Sequence, residues 1–235
     1  MHVLGYSTGA LGLSDFRRAL KMMQREPVNA VELSAIRESE LIPLIQSLDD
    51  LDLSKFEYVS IHAPSQFPPG SEAWIFQELY KQLGRGWPFV IHPDTLRCDA
   101  DWQLLGNQLC IENMDQRKPA GRTVRELTAL FERFPEASFC FDIGHARQVD
   151  TSMVEAYKML KAFGPRLRQV HVSEVNSQNK HDPLSFISIL DFQEVASLIP
   201  ASVPVIIESI VSGDEIRAEI NRVRKALSVT TATAD

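Results

Sequence analysis

Eight short apolar runs, separated by longer amphipathic segments, constrain this 235-residue chain more than any other feature of it. The runs are His2–Gly5, Ala30–Leu33, Tyr58–Ile61, Phe89–Ile91, Leu109–Ile111, Phe139–Phe141, Gln169–Val172 and Val205–Ile207. Between them, apolar residues recur at helical spacing over Ser14–Arg25, Glu38–Leu48, Ala73–Leu83, Val124–Phe134, Ser152–Phe163, Phe186–Leu198 and Asp214–Leu227. Thr123 with Glu126 three residues on reads as a capping box that starts one of these helices. The fourth and fifth runs are joined by the weakest unit, with Asp99–Leu105 as a short helix.

Such alternation predicts a parallel sheet with right-handed crossover helices. Eight units close most economically into a barrel, so the expected fold is α/β: a single-domain (β/α)8 TIM barrel over residues 1–227, followed by a disordered tail at 228–235. The rival is an open doubly wound sheet. No GxGxxG follows a strand and no GxxxxGK[ST] occurs, so the usual phosphate loops of nucleotide-binding sheets are missing.

Composition narrows the function classes. At 44% hydrophobic the chain has material for a large core. No apolar run approaches the roughly 20 residues of a membrane span, and Met1–Tyr6 reads as a strand rather than a signal peptide. Cys98, Cys110 and Cys140 are an odd number without CxxC spacing, which argues against a disulfide framework and predicts a cytoplasmic protein. Cys110 and Cys140 are expected to be core fillers. The net charge is −7 and no Lys/Arg run exceeds two residues, which disfavours a nucleic-acid partner. Basic residues do stand near the expected mouth, including Arg37, Arg117, Lys118, Arg122 and Arg147, but acids are interleaved with nearly all of them. Phe67 and Trp74 follow the third run, either as covers for the barrel or as stacking surfaces for a base. A small substrate fits the charge better.

The ends of the runs carry the chemistry. Five of the six histidines, His62, His92, His145, His171 and His181, stand at or just beyond the C-terminal end of a run, where barrel enzymes build their active sites. Glu112, Asp142 and Glu208 end runs in the same way. Imidazoles and carboxylates ringing one mouth are a ligand set for zinc, with manganese or iron(II) as alternatives. Acids placed directly after apolar runs also need a counter-charge. For Asp142 and His145 a second reading stays open, a helix-capping Asp followed by a surface His. For Glu32 two readings stay open, a ligand and a structural acid paired with Arg37, and it is left out of the ligand set.

These strand ends resemble the xylose-isomerase-like barrel superfamily, which includes endonuclease IV type apurinic endonucleases and many sugar isomerases and epimerases. His92-Pro93 is similar to the family's His-Pro-Gly, with Asp94 in place of glycine. Glu112-Asn113, Asp142-Ile143-Gly144-His145, His171, His181 and Glu208 match the family's later motifs along nearly the whole chain. The resemblance implies two or three divalent ions. One would be held by His62, His92 and Glu112, a second by Glu112 with Asp142, His171 and Glu208, and a third by His145 and His181. Asn179 departs from the endonuclease pattern, which has aspartate there, and this predicts a weaker third site. Two activities follow from the resemblance: phosphoester hydrolysis, and single-metal isomerisation of a sugar or sugar phosphate. In both, Glu112 and Glu208 are the expected catalytic acids and the expected partner is a small phosphorylated or sugar-like molecule. A non-catalytic metal-binding barrel is the third possibility. Nothing in the sequence speaks to the oligomeric state.

Overall fold

The computed structural model describes residues 2–228. Eight strands form the expected closed barrel: β1 (Leu4–Ser7), β2 (Ala30–Ser34), β3 (Tyr58–His62), β4 (Phe89–Ile91), β5 (Leu109–Glu112), β6 (Ser138–Asp142), β7 (Leu167–Val172) and β10 (Val205–Ile207). Every neighbouring pair is parallel, and β1 closes the ring between β2 and β10. The remaining strands, β8 (Glu174–Val175) and β9 (His181–Asp182), make an antiparallel hairpin in the loop after β7.

Seven helices follow the predicted segments: α2 (Phe16–Met23), α3 (Glu38–Ser47), α4 (Glu72–Tyr80), α6 (Val124–Arg133), α8 (Val154–Phe163), α9 (Phe186–Ala196) and α10 (Ile216–Ala226). The weak link between β4 and β5 contains α5 (Asp99–Gln103). Thr123 caps α6 by accepting from the Glu126 amide, while Glu126 takes the Arg122 amide instead of closing the box. Two short helices lie outside the seven predicted segments, α1 (Thr8–Gly12) and α7 (Ile143–Val149), each continuing directly from a strand; the capping reading of Asp142 was the signal for α7.

The first strand sits two residues later than expected, over Leu4–Ser7 instead of His2–Gly5. The Asn29 side chain accepts from the Leu4 amide, and the buried Tyr6 hydroxyl donates to Ile216 O, so the chain is tied down further along. Gly5 is obligatory here. A Cβ at that position would lie 1.7 Å from the Ala30 carbonyl oxygen. Of the expected tail, residues 229–235 lie outside the described residues.

Side-chain alternation splits the strands into two populations. Phe89, Ile91, Ile111, Phe139 and Phe141 face the helices and join the main apolar core. Val90, Cys110 and Cys140 face inward and form a small separate cluster that plugs the barrel. One step further along the same strands, the inward positions become His92, Glu112 and Asp142. The apolar plug is therefore the base on which the polar mouth rests. Phe67 and Trp74 are partly buried and pack on the main core, which supports the covering role.

Candidate metal centre

Glu112 is the hub of the mouth. It ends β5, is buried, and uses its two oxygens in different directions. Oε2 lies 3.3 Å from Nε2 of both His62 and His92. Oε1 lies 3.3 Å from His171 Nδ1 and 3.4 Å from His145 Nδ1. Burial alone would push this carboxyl up, but the charge of His171 and the bonds from His145, His171 and His62 hold it well below the usual carboxylate range. The following residue explains why the strand ends here: Asn113 bonds the Asp142 backbone twice, Nδ2 donating to its carbonyl at 2.8 Å and Oδ1 accepting its amide at 2.7 Å. The ends of β5 and β6 are thereby locked together.

Asp142 combines both of its sequence readings. Its Oδ1 caps α7 by accepting from the His145 amide at 2.7 Å. Its Oδ2 is buried and has no hydrogen-bond partner. The cap aims the free oxygen at the cluster, 3.3 Å from His145 Nδ1. His145 is buried rather than on the surface, so that half of the capping alternative fails. Gly144 permits the tight entry into α7, since a Cβ there would meet Ser173 O at 2.4 Å.

The expected ligands converge. His62, His92 and Glu112 each offer one ligand atom, all within 4.8 Å of one another. Glu112, Asp142, His171 and Glu208 do the same. The two groups share Glu112. His145 and His181 stand side by side with ring centroids 5.4 Å apart, yet among the described residues no such group includes either of them. His181 faces Ser173 Oγ at 2.8 Å and Glu208 Oε2 at 3.5 Å from the β8–β9 hairpin. Asn179 does not join them. It adopts φ 61°, and its Oδ1 accepts from Gln148 Nε2 at 2.5 Å.

Glu32 overturns one expectation. It does not pair with Arg37, which is exposed and bonds Glu40. It is fully buried inside the barrel, where Oε2 accepts from Gln169 Nε2 at 2.7 Å and Ser60 Oγ at 3.1 Å and lies 3.0 Å from His171 Nε2. Tyr58 extends the chain by donating to Gln169 Oε1. Oε1 of Glu32 has no partner, and Glu32 forms a third ligand-competent group with His62 and Glu208. A carboxylate behind a histidine fixes the tautomer and turns the other ring nitrogen outward. Here that places His171 Nδ1 toward Glu112 and Glu208. Glu32 was detectable in principle: it interrupts an apolar run at an inward position, as Gln169 does across the barrel.

The donor chemistry fits divalent ions. Four acids, Glu32, Glu112, Asp142 and Glu208, meet inside one cluster, and each uncompensated buried charge costs several kcal/mol. Without ions the imidazoles carry that compensation: against burial, the surrounding acids raise His62 to about 9 and His145 to about 10. Burial lifts Asp142 to about 6 and Glu208 to about 7. His181 moves the other way, to about 3, through burial and the charge of His145.

The centre floors an open cleft of about 440 Å3. Two cations line it, Arg117 paired with Asp115 and Lys118 paired with Asp94. The other cations expected near the mouth are paired too, Arg122 with Glu126, and Arg147 with Glu174 and Asp191. No helix among the described residues is long and apolar enough to cross a membrane.

No family model matches the chain. No curated protein matches it either. Solved structures do. SacUVDE aligns at TM-score 0.58 and 15% identity, over 97% of this chain and 99% of its own. A provisionally assigned sugar phosphate isomerase/epimerase from Anabaena variabilis aligns at TM-score 0.55 and 15% identity, over 95% and 88%. An uncharacterised protein from Parabacteroides distasonis aligns at TM-score 0.57 and 12% identity, over 95% and 98%. The fold shared with these structures is the closed (β/α)8 TIM barrel. At these identities the likeness bears on architecture alone.

Proposed function

We propose that the protein is a metal-dependent hydrolase of phosphoesters, acting on a small phosphorylated substrate. The observation that carries this reading is the pair of donor groups sharing Glu112. Isomerisation on one ion needs only Glu112, Asp142, His171 and Glu208. The additional group of His62 and His92 has no task in that chemistry, and a second ion beside the first suits phosphoryl transfer.

Two divalent ions, zinc first among the candidates, would be held by His62, His92 and Glu112 and by Glu112, Asp142, His171 and Glu208. His145 and His181 leave a third position without a carboxylate of its own, and therefore weaker. Bound ions supply Lewis acidity, easing deprotonation of water near neutral pH and neutralising charge on phosphoryl oxygens. The protein's own groups do the positioning. Glu112 fixes the spacing of the two donor groups by presenting one oxygen to each. Glu208 lines the cleft as well as the floor, which makes it the acid placed to exchange a proton with a bound substrate. Asn113 and Glu32 hold the geometry from behind.

The second reading is isomerisation or epimerisation of a sugar phosphate. It is favoured by the proximity of Glu112 and Glu208, two acids facing one substrate position, and by the activity assigned to the Anabaena variabilis neighbour. The paired rim cations favour a small substrate in both readings over a polyanion, whose binding rests on uncompensated positive charge.

Metal analysis of protein purified without chelator separates the two. The hydrolase reading expects at least two transition-metal ions per chain and metal-dependent cleavage of a generic aryl phosphoester. One ion per chain, with no cleavage, would sink it in favour of the isomerase.

A further inference from the structure

Lys118 stands on the cleft wall beside His92 and has no part in the metal centre described above. Its ammonium donates to Asp94 Oδ2 at 2.8 Å, and its side chain is only 22% exposed. A lysine ammonium has three N–H donors, so two remain for other partners. The other cation lining the cleft, Arg117, differs in a decisive way. It is 52% exposed, and its partner Asp115 lines the cleft with it, so that pair brings no net charge to the bound ligand. Asp94 does not line the cleft. Lys118 thus lines the cleft while its counter-ion does not.

The cleft is also lopsided. Its polar lining residues outside the metal centre, Ser65, Gln66, Asp115, Arg117 and Lys118, all come from the loops after β3 and β5. The opposite wall is built from His145, His181 and Glu208. A ligand with one anionic end and one neutral end has a single favourable orientation in such a space.

We propose that Lys118, clamped by Asp94, is the seat for a phosphate oxygen of the substrate and fixes its anionic end on the β3–β5 side of the cleft. The ligand class is a small phosphorylated molecule whose hydroxylated remainder points toward His145 and His181. The assignment rests on the reading of the cleft as a metal-dependent site for phosphorylated substrates. Lys118 is a binding residue for the anion, and the clamp keeps its flexible stem from swinging into solvent.

The test is calorimetric titration of inorganic phosphate into the metal-loaded protein, comparing wild type with Lys118→Met and Asp94→Asn. Loss of one charge-assisted hydrogen bond is expected to weaken phosphate binding about tenfold in Lys118→Met. Metal content is expected to stay at the wild-type value. Asp94→Asn retains the ammonium but loosens it, and is expected to weaken phosphate by less than Lys118→Met. Equal phosphate affinity in wild type and Lys118→Met overturns the lysine assignment while leaving the proposed function standing. Absence of phosphate binding in wild type overturns both.

Discussion

The floor and the rim of the cleft obey different physics. On the floor, Glu32, Glu112, Asp142 and His171 are all but sealed from solvent, and each acid faces an imidazole. On the rim, His181 keeps 26% of its side chain exposed and faces a serine hydroxyl and the edge of Glu208. Where water is excluded, charge compensation is compulsory and the geometry becomes rigid. Where water remains, it can replace a missing partner. On the proposed reading, the floor would hold the ions and the rim would select the substrate.

The largest break in that comparison is expected from Glu112→Gln. The amide keeps the shape of the hub but removes the charge that both donor groups share. Activity is expected to fall by about a thousandfold, the scale of losing a group that stabilises developing charge, with the barrel still folded by circular dichroism. Wild-type turnover in this variant would remove Glu112 from its role. Next in size is Glu32→Gln, which leaves all ligands of the two main groups in place. Metal affinity is expected to drop roughly 10–100-fold, as for other partners that orient a ligating histidine. Unchanged affinity in a chelator competition would mean that Glu32 is only a packing acid.

Acidity offers a third handle. His62 and His145 sit above neutrality at about 9 and about 10, and His171 well above its ordinary value, so protons occupy the ion-free floor at pH 7. Metals must displace those protons. Affinity is therefore expected to rise as pH increases from 6 to 8, with protons released on binding; flat affinity over that range would contradict the protonated floor. The smallest effect is expected at the rim. His181→Ala should cost less than about tenfold in metal affinity, below the usual loss for even an indirect partner. A loss as large as that from His171→Ala would erase the distinction between the two regions.

The strand ends were legible because periodicity locates them. Once the runs are placed, His62, His92, Glu112, Asp142, His171 and Glu208 follow from the rule that barrel chemistry collects at C-terminal ends. Glu32 was misassigned because Arg37 is near it in sequence, whereas its actual partners, Gln169 and His171, lie across the barrel. That contact exists only after closure. The hairpin bearing His181 escaped notice because two-residue strands have no periodicity to read. Helix α7 was signalled only by its cap: Asp142 is at once the last residue of a strand and the cap of a helix, leaving no loop between them.

Beneath the rim lies the fully buried Glu219 of α10, which accepts from the Leu184 amide, from Ser209 Oγ and from Arg222. One acid on an outer helix therefore anchors two separate connections, the segment that follows the His181 hairpin and the residue that follows Glu208. The backbone reinforces the link, since the Ile210 amide donates to His181 O. Transplanting either connection alone into another barrel would strand half of this anchor. The two behave as one inheritable module, to be exchanged together or left alone.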